Sequence, residues 1–470
     1  MGLSGESARQ LILRDVHNPL YNLIMYPWIR VFGDSEIVIR IPSLIAGLLL
    51  VWLVWRWAGA RFGRRAGVLA GALMAVSPVA VWYSTEAKNN VFTVLFTTLG
   101  VMTLDRAMRS RSFRDTTLAA LWVVLAFATD AQSLLVLVPV GAVMAWMALR
   151  RVPAGGLSWG REDAGMLRRA APLVVCALVV AIAITPWAVY KAGHAAELTR
   201  RYVSYFDWHE PIRLLILWFP TGGAIPPIGP EHPGGWFGDR EGWVLRAVCV
   251  APLVVPALAR GVRTLKASAS GVVVLASILW PMVLMFVISE ALVLAGSSMR
   301  VYQPRNLLVM LPWFCILMGA GLATIPAGRW RAVRTLLPIG LALCCTIAIR
   351  TVRADAVTVN TPNPDWRGAL RWIDAQDGAT PHPVVSNSMV QPIAYYAPGR
   401  GSLTLPGRAA LASELSTLTA DPGFNEFWYI HNPHWGFRVA PEELRRALEP
   451  YRTLDARSFR SLQVFRLRRD

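Results

Sequence analysis

The sequence predicts a polytopic α-helical membrane protein with a small α/β domain at its C-terminal end. Hydrophobic residues make up 54% of the 470 residues and charged residues only 16%, whereas soluble proteins carry about 25% charged residues. The mean hydropathy of +0.42 leaves soluble domains of this length with too little polar surface. The same apolar content excludes a disordered chain. A chain that crosses a membrane several times is the class that remains.

The basic charge of the chain is distributed as in a membrane protein. The formal net charge is +18 at pH 7, but the arginines form short clusters between apolar runs, where they orient a membrane protein. They form no continuous stripe interleaved with aromatic side chains, as a nucleic-acid groove would. We therefore expect membrane lipids, and no nucleic acid, among the partners.

The first predicted element is an outer-face interfacial segment, residues 1–36. Its stretch 17–33 is apolar, and its Tyr and Trp side chains suit the headgroup level of a bilayer. About ten membrane spans follow within residues 37–349, because each span needs about 20 apolar residues. The predicted spans are 41–58, 65–82, 89–107, 116–129, 132–149, 170–189, 242–259, 270–294, 306–326 and 335–349. A long outer loop, 190–241, interrupts them.

The short loops between these spans alternate in charge. One set holds 19 Lys and Arg residues, whereas the opposite loops hold only Lys88, Arg300 and Arg305. Lys and Arg accumulate on the cytoplasmic side of membrane proteins. This asymmetry predicts a multi-pass protein of the cell inner (plasma) membrane, with residues 1–36, loop 190–241 and the chain after Arg350 on the extracytoplasmic face.

The composition changes after about residue 355. Helix-like stretches, such as PDWRGALRWIDAQ (364–376), alternate with strand-like stretches, such as NEFWYIHN (425–432). This alternation predicts an extracytoplasmic α/β domain over residues 350–470. It contains no glycine-rich phosphate-binding motif, so no nucleotide site is indicated.

The residues that could carry chemistry lie at the outer ends of the predicted spans. The short loop WYSTEAKNN, residues 82–90, places Glu86 and Lys88 between two apolar helices. A charged residue beside the hydrocarbon layer is costly and is interpreted as functional by default. A solvated turn with a local ion pair is the alternative interpretation.

Two further groups lie near the same predicted face. Asp15 and His17 precede the interfacial helix and suit an acid–base or metal role, or a satisfied turn. Arg300 and Arg305 precede a predicted span on the face where arginine is rare, so they need an anionic partner. A lipid phosphate suits them because a guanidinium binds phosphate in a bidentate fork. Headgroup anchoring is the alternative.

Four stretches of the sequence carry a resemblance to a known family. They are DVHNPLYN (15–22), FGDSEIVIRIPSLIAGL (32–48), RWAGARFGRRAGVLAGALMAVSPVAVWYSTEAKNN (56–90) and YQPRNLLVMLP (302–312). Together they resemble glycosyltransferase family 39, the dolichyl-phosphate-mannose protein mannosyltransferase-like membrane proteins. This family shares the GT-C fold with the bacterial aminoarabinose transferases that modify lipid A.

The resemblance implies transfer of a sugar from a polyprenyl-phosphate donor to an envelope glycan, lipid or protein acceptor at the extracytoplasmic face. One carboxylate would deprotonate the acceptor hydroxyl, and cationic side chains or a divalent metal would stabilise the phosphate leaving group. No metal ligands are assigned. The catalytic candidates are Glu86 and Asp15; the substrate-binding candidates are His17, Asn18, Tyr83, Lys88, Arg300, Tyr302 and Arg305. The alternatives are a lipid-linked sugar transporter or flippase, and an inactive homologue.

The sequence also departs from the family pattern. Asn18 stands where the family usually has Pro, Asn22 where it has Tyr, and Lys88 where it has Arg. ATDAQSLL (128–135) lacks the family's Tyr-Thr-His pattern. The family's first helix and the Asp-Glu pair that follows it have no counterpart, so we expect this polypeptide to be incomplete or inactive as written.

Overall fold

The computed structural model divides the chain into two compact units, Met1–Ile225 with Trp243–Ile349 and Pro226–Gly242 with Arg350–Asp470. The described residues are 19–110, 112–150, 240–294, 304–326, 365–378, 381–387, 391–397, 399–405, 411–418, 424–432, 441–459 and 462–469, with scattered positions in 171–219 and 335–346.

The first unit is helical throughout its described part. Its helices are α1 (Leu20–Phe32), α2 (Glu36–Phe62), α3 (Arg64–Val76), α4 (Pro78–Ser84), α5 (Asn90–Ser110), α6 (Phe113–Thr129), α7 (Leu134–Arg150), α8 (Arg240–Leu265), α9 (Ala269–Leu294) and α10 (Leu311–Ala323). Short 3₁₀ segments, Ala131–Ser133 and Pro304–Met310, precede α7 and α10.

Four of the described helices are long and apolar enough to cross a membrane: Glu36–Phe62, Asn90–Ser110, Ala269–Ala291 and Asn306–Ala323. A fifth span results if the bent pair α3–α4 is counted as one. Each of them overlaps a predicted span. The helical membrane class is therefore supported, and the count of ten spans stays a prediction.

The predicted span 65–82 is not one straight helix. It is broken at Ser77, and α3 and α4 meet at an angle of 59°. Proline has no N–H and disfavours helical backbone in the residue before it, so Pro78 ends the first helix. Ser77 then caps the second helix, with its Oγ accepting a hydrogen bond from the Ala80 amide at 3.3 Å. The break sets the direction in which the chain enters the turn after Ser84.

Helices α5 and α10 form the core of the first unit. In their apolar windows, 72% and 94% of the residues are buried. Small residues allow close packing of α10 on α3: a Cβ added at Gly319 would lie 2.7 Å from the Ala70 backbone nitrogen. Close approach of backbones through small residues is how helices associate in membranes. The buried α5 therefore provides a fixed support for the polar residues at both of its ends.

The described part of the second unit contains four helices and five strands. The elements are α11 (Trp366–Asp377), β1 (Val384–Ser386), α12 (Gln391–Tyr396), β2 (Ser402–Thr404), α13 (Leu411–Leu418), β3 (Glu426–His431), α14 (Pro441–Leu448), β4 (Tyr451–Phe459) and β5 (Leu462–Arg469). The strand order is β2-β1-β3-β5-β4. β1 is parallel to β2 and β3, whereas β5 is antiparallel to both β3 and β4.

Both faces of this sheet are covered by helices. Leu370 and Ile373 of α11 belong to one buried cluster with Trp428. Leu411 of α13 and Ala447 of α14 belong to a second cluster, on the other face. Strands alternate side chains between faces, which is why the β3 and β5 residues divide between the two clusters. β4 is the last strand in the order of the described sheet, next to β5.

Candidate functional site

The turn between α4 and α5 carries an ion pair. Lys88 Nζ lies 2.6 Å from Glu86 Oε1, and the Lys88 amide donates a hydrogen bond to the Glu86 carbonyl at 2.9 Å. Thr85 closes the end of α4, since its hydroxyl donates to the Trp82 carbonyl at 2.9 Å. The local ion pair that was the alternative interpretation of this loop is therefore present. It joins Glu86 and Lys88, two of the predicted site residues.

Only one oxygen of the Glu86 carboxylate is satisfied. Oε2 is buried and has no hydrogen-bond partner in the described part of the chain. A buried acceptor without a partner costs about 1–3 kcal/mol, so native proteins rarely keep one without a reason. Glu86 thus presents a desolvated acceptor that a hydroxyl group of a ligand could satisfy.

Helix α1 contributes a tyrosine to this region. Burial, followed by the negative charge of Glu86, raises the pKa of Tyr21 above its ordinary value. The ring packs edge-to-face on Phe92, with centroids 5.7 Å apart. Tyr21 therefore keeps its proton within the electrostatic range of Glu86 and remains a hydrogen-bond donor. From the sequence alone, Tyr21 is predicted only to lie at the membrane interface.

A chain of buried amides and carboxylates continues from the turn. Asn89 Nδ2 donates to Asp130 Oδ2 at 2.9 Å, and Asp130 Oδ1 accepts from the Gln132 amide at 2.9 Å. Gln132 Nε2 then donates to Asn306 Oδ1 at 2.8 Å. Asn89, Asp130 and Asn306 are all buried. This chain, Asn89–Asp130–Gln132–Asn306, is called the polar chain below.

The polar chain joins loops that are distant in sequence. It connects the turn 84–90 to the end of α6 and to the 3₁₀ segment Pro304–Met310. Arg305 directly precedes Asn306 in that segment, so its backbone lies beside the end of the polar chain. The side chain of Arg305 lies outside the described residues. Sequence reasoning missed all four members of the chain; the only signal was Asp130 between two apolar runs.

The other predicted site residues divide into two groups. Tyr83 is half-buried in the last turn of α4, three residues before Glu86. Asp15, His17, Asn18, Arg300 and Tyr302 lie outside the described residues. Among the residues that the structure does describe, no group of three or more His, Cys, Asp or Glu side chains could hold a metal ion.

The first part of the chain matches a known family. Residues 16–159 match the family model described as Dolichyl-phosphate-mannose-protein mannosyltransferase. No curated protein matches the chain.

Solved structures give a second comparison. ArnT from Cupriavidus metallidurans in the apo state is similar at 14% identity and a TM-score of 0.52, over 96% of this chain and 87% of that one. The same protein bound to undecaprenyl phosphate is similar at 14% identity and a TM-score of 0.50, over the same shares. The Archaeoglobus fulgidus oligosaccharyltransferase in the apo form has a TM-score of 0.46 at 12% identity, over 92% of this chain and 64% of that one.

The resemblance noted in the sequence is confirmed at the level of the fold. The family match begins just before α1 and includes the turn that holds Glu86 and Lys88. The likeness to ArnT extends over nearly the whole chain. This chain has the GT-C fold, and its residues 16–159 are similar to the protein mannosyltransferase family model.

Proposed function

We propose that this protein is a membrane glycosyltransferase that transfers a sugar from a polyprenyl-phosphate-linked donor to an envelope glycan, lipid or protein acceptor at the extracytoplasmic face. The observation that carries this proposal is the turn 84–90, where a cation and a half-satisfied carboxylate stand side by side. The GT-C fold supports a sugar transfer. The ArnT structure that contains undecaprenyl phosphate supports a polyprenyl phosphate as the carrier.

Lys88 is the first candidate for the donor phosphate. Its side chain is 47% exposed, so it can reach a ligand without first leaving a buried site. Arg305 would act with it, because its backbone lies beside the end of the polar chain, and Arg300 is a third proposed cation. Fixed cations at a leaving phosphate stabilise the negative charge that develops on it in the transition state.

Glu86 is the candidate base. Its unpaired Oε2 would accept the proton of the acceptor hydroxyl while that oxygen forms a bond to the anomeric carbon. The bond from this carbon to the phosphate oxygen breaks at the same time, and the polyprenyl phosphate leaves with the electron pair. The configuration at the anomeric carbon is inverted. Asp15 is retained as a second carboxylate, and His17, Asn18, Tyr83 and Tyr302 as substrate-binding residues.

The ion pair of the turn couples donor binding to this proton transfer. Lys88 Nζ lies 2.6 Å from Glu86 Oε1. When Lys88 turns towards the donor phosphate, Glu86 Oε1 loses its cationic partner. Asn89, the next residue, is fixed by Asp130, so the rest of the turn can stay in place while the Lys88 side chain moves.

The experiment uses the full chain in vesicles, radiolabelled polyprenyl-phosphate sugars as donors and an envelope extract as acceptor. Sugar transfer by the unchanged protein would overturn the expectation of an inactive polypeptide. With Glu86 as the base, we expect that transfer and a roughly 100- to 10,000-fold loss in Glu86→Gln, the contribution typical of a general base. Glu442→Gln is the matched control, because Glu442 is an exposed carboxylate of α14. It should keep full activity.

Two results would overturn the proposal. Equal transfer by Glu86→Gln and the unchanged protein would remove Glu86 as the base. Movement of the lipid-linked sugar between leaflets, with no transfer to any acceptor, would favour the transporter alternative. Transporters place their substrate sites near the bilayer midplane, whereas Glu86 and Lys88 lie just before the N-terminal end of α5.

A further inference from the structure

The last two strands of the second unit are strongly basic. Residues 451–469 contain six arginines and a single carboxylate, Asp455. The strand register places Arg452 directly opposite Arg468, and Asp455 opposite Arg466. Residues opposite each other in neighbouring strands share a face of the sheet. Arg452, Arg457, Arg466 and Arg468 therefore lie on one face, which is the face on which α11 packs. The four arginines on it are called the arginine face below.

Aromatic rings order two of these guanidinium groups. Arg457 lies 5.8 Å from the ring centroid of Trp372 and 5.4 Å from that of Phe459. Arg466 lies 5.5 Å from the centroid of Trp428. A guanidinium group that stacks through its planar face keeps its N–H edge for an oxyanion. The rings thus hold the cations in place without neutralising them.

The carboxylates on the arginine face do not balance its charge. Glu426 accepts from both Arg466, at 2.7 Å, and Arg468, at 2.5 Å. Arg452 and Arg457 are exposed, and the described residues place no carboxylate within ion-pair distance of either. Arg452 also faces Arg468, and like charges directly opposite each other destabilise a sheet. An external anion would relieve this repulsion.

The size of the arginine face selects the kind of anion. Arg452 and Arg457 are five residues apart on β4, which corresponds to about 15 Å along a strand. One phosphate group cannot reach both, whereas a layer of lipid headgroups can. The first unit has several helices that can span a membrane, so a bilayer surface is always close to this chain. We propose that the arginine face docks on the anionic headgroup layer of the membrane.

The test is hydrogen–deuterium exchange of the full-length protein in nanodiscs of phosphatidylcholine, with or without phosphatidylglycerol. We expect slower exchange in 451–459 when phosphatidylglycerol is present, and loss of this protection at high salt. Each arginine near an anionic surface contributes about fivefold to binding. The double variant Arg452→Gln/Arg457→Gln should therefore lower the docked-to-undocked ratio by about 30-fold.

Two further variants act as controls. Arg445→Gln/Arg446→Gln removes the same charge from α14, which covers the opposite face of the sheet, and should keep the protection. Arg452→Lys/Arg457→Lys keeps the charge and should keep most of it, because a headgroup layer does not require a bidentate fork.

Three results would overturn the proposal. The first is exchange in 451–459 that does not depend on phosphatidylglycerol. The second is equal loss of protection in the two glutamine variants. The third is protection by a soluble polyanion in neutral nanodiscs without any effect of anionic lipid, which would assign the arginine face to a soluble anionic partner.

Discussion

The two ends of helix α5 hold carboxylates in opposite states. At its C-terminal end, Asp105 is bonded to Arg109, lies 3.6 Å from Arg61 and accepts from Ser270 at 3.2 Å. Just before its N-terminal end, Glu86 has one cationic partner and one buried oxygen without a partner among the described residues. Asn90–Ser110 spans about 30 Å at the rise of an α-helix, so the two carboxylates are far apart.

The difference separates a structural role from a ligand-binding one. The arginine-rich end is saturated from inside the protein, since Asp115 likewise accepts from Ser110 at 2.6 Å and from Arg106 at 3.2 Å. A network whose carboxylates have their partners inside the protein holds helices together. The Glu86 end keeps a cation and an acceptor that the protein does not use fully. We infer that chemistry takes place at the Glu86 end.

The largest expected effect on stability is at the saturated end. Asp105→Asn would leave Arg61 and Arg109, which are 29% and 39% exposed, without their shared carboxylate. Loss of hydrogen bonds to a charged group costs about 1.5–3 kcal/mol. We expect a clearly lower midpoint of thermal unfolding in detergent. Glu86→Gln should change that midpoint little, because the partner that it loses, Lys88, is half-exposed. Equal midpoints for the two variants would contradict the comparison.

Removing the arginine beside the polar chain should weaken donor binding. Arg305→Ala is expected to reduce the affinity for a polyprenyl-phosphate sugar by about 1.5–3 kcal/mol, the range for a hydrogen bond to a charged group. The dependence of the transfer rate on acceptor concentration should change less. Titration of the donor by isothermal calorimetry measures this. An unchanged donor affinity would assign Arg305 to headgroup anchoring.

The second unit contains a saturated carboxylate that can be titrated. Burial acts to raise the pKa of Asp377, but hydrogen bonds from Arg400, Trp428 and His382 outweigh it and lower the pKa to about 2, from an ordinary 3.8. A carboxyl group whose pKa is lowered in the folded state stabilises the fold at pH values above its ordinary pKa. This stabilisation is lost as the pH falls from about 4 to about 2.

Hydrogen exchange of α11 and β3 against pH measures that loss. Asp377→Asn should already destabilise the unit by about 2 kcal/mol at neutral pH, since three donors lose a charged acceptor. It should also flatten the pH dependence between about 4 and 2. A variant with the same pH dependence as the unchanged protein would show that another group titrates.

The smallest expected effect is in the polar chain. Asp130→Asn keeps the shape of the side chain but removes its negative charge. The hydrogen bonds from Asn89 and Gln132 would then go to a neutral acceptor. The expected cost is about 1 kcal/mol of stability, together with a higher KM for the donor and a smaller change in kcat, because the turn is less firmly held. A fall in kcat alone would instead point to a direct part in the reaction.

The sequence predicted the apolar elements better than the polar contacts. Hydropathy located the four described helices that can span a membrane, because a span needs a long apolar run that is visible locally. It did not locate the break at Ser77. Pro78 is present in the sequence, but the 59° bend also depends on how α3 and α4 pack. The predicted outer and cytoplasmic faces stay predictions.

The candidate site was predicted only where its residues are neighbours in sequence. Glu86 and Lys88 were identified because both charges lie in one short loop. The link from Asn89 through Asp130 to Asn306 spans more than 200 residues, and no local pattern indicates such a contact. Tyr21 was missed for the same reason: its proximity to Glu86 arises from the packing of α1. Tertiary contacts of this kind depend on the fold as a whole.

A structure of the full chain with a bound polyprenyl phosphate tests the central claim most directly. We expect the phosphate within hydrogen-bond distance of Lys88 Nζ, with Lys88 withdrawn from Glu86 and with Glu86 Oε2 open towards the side where the sugar would be attached. A phosphate bound instead among Arg61, Arg106 and Arg109, at the other end of α5, would contradict it.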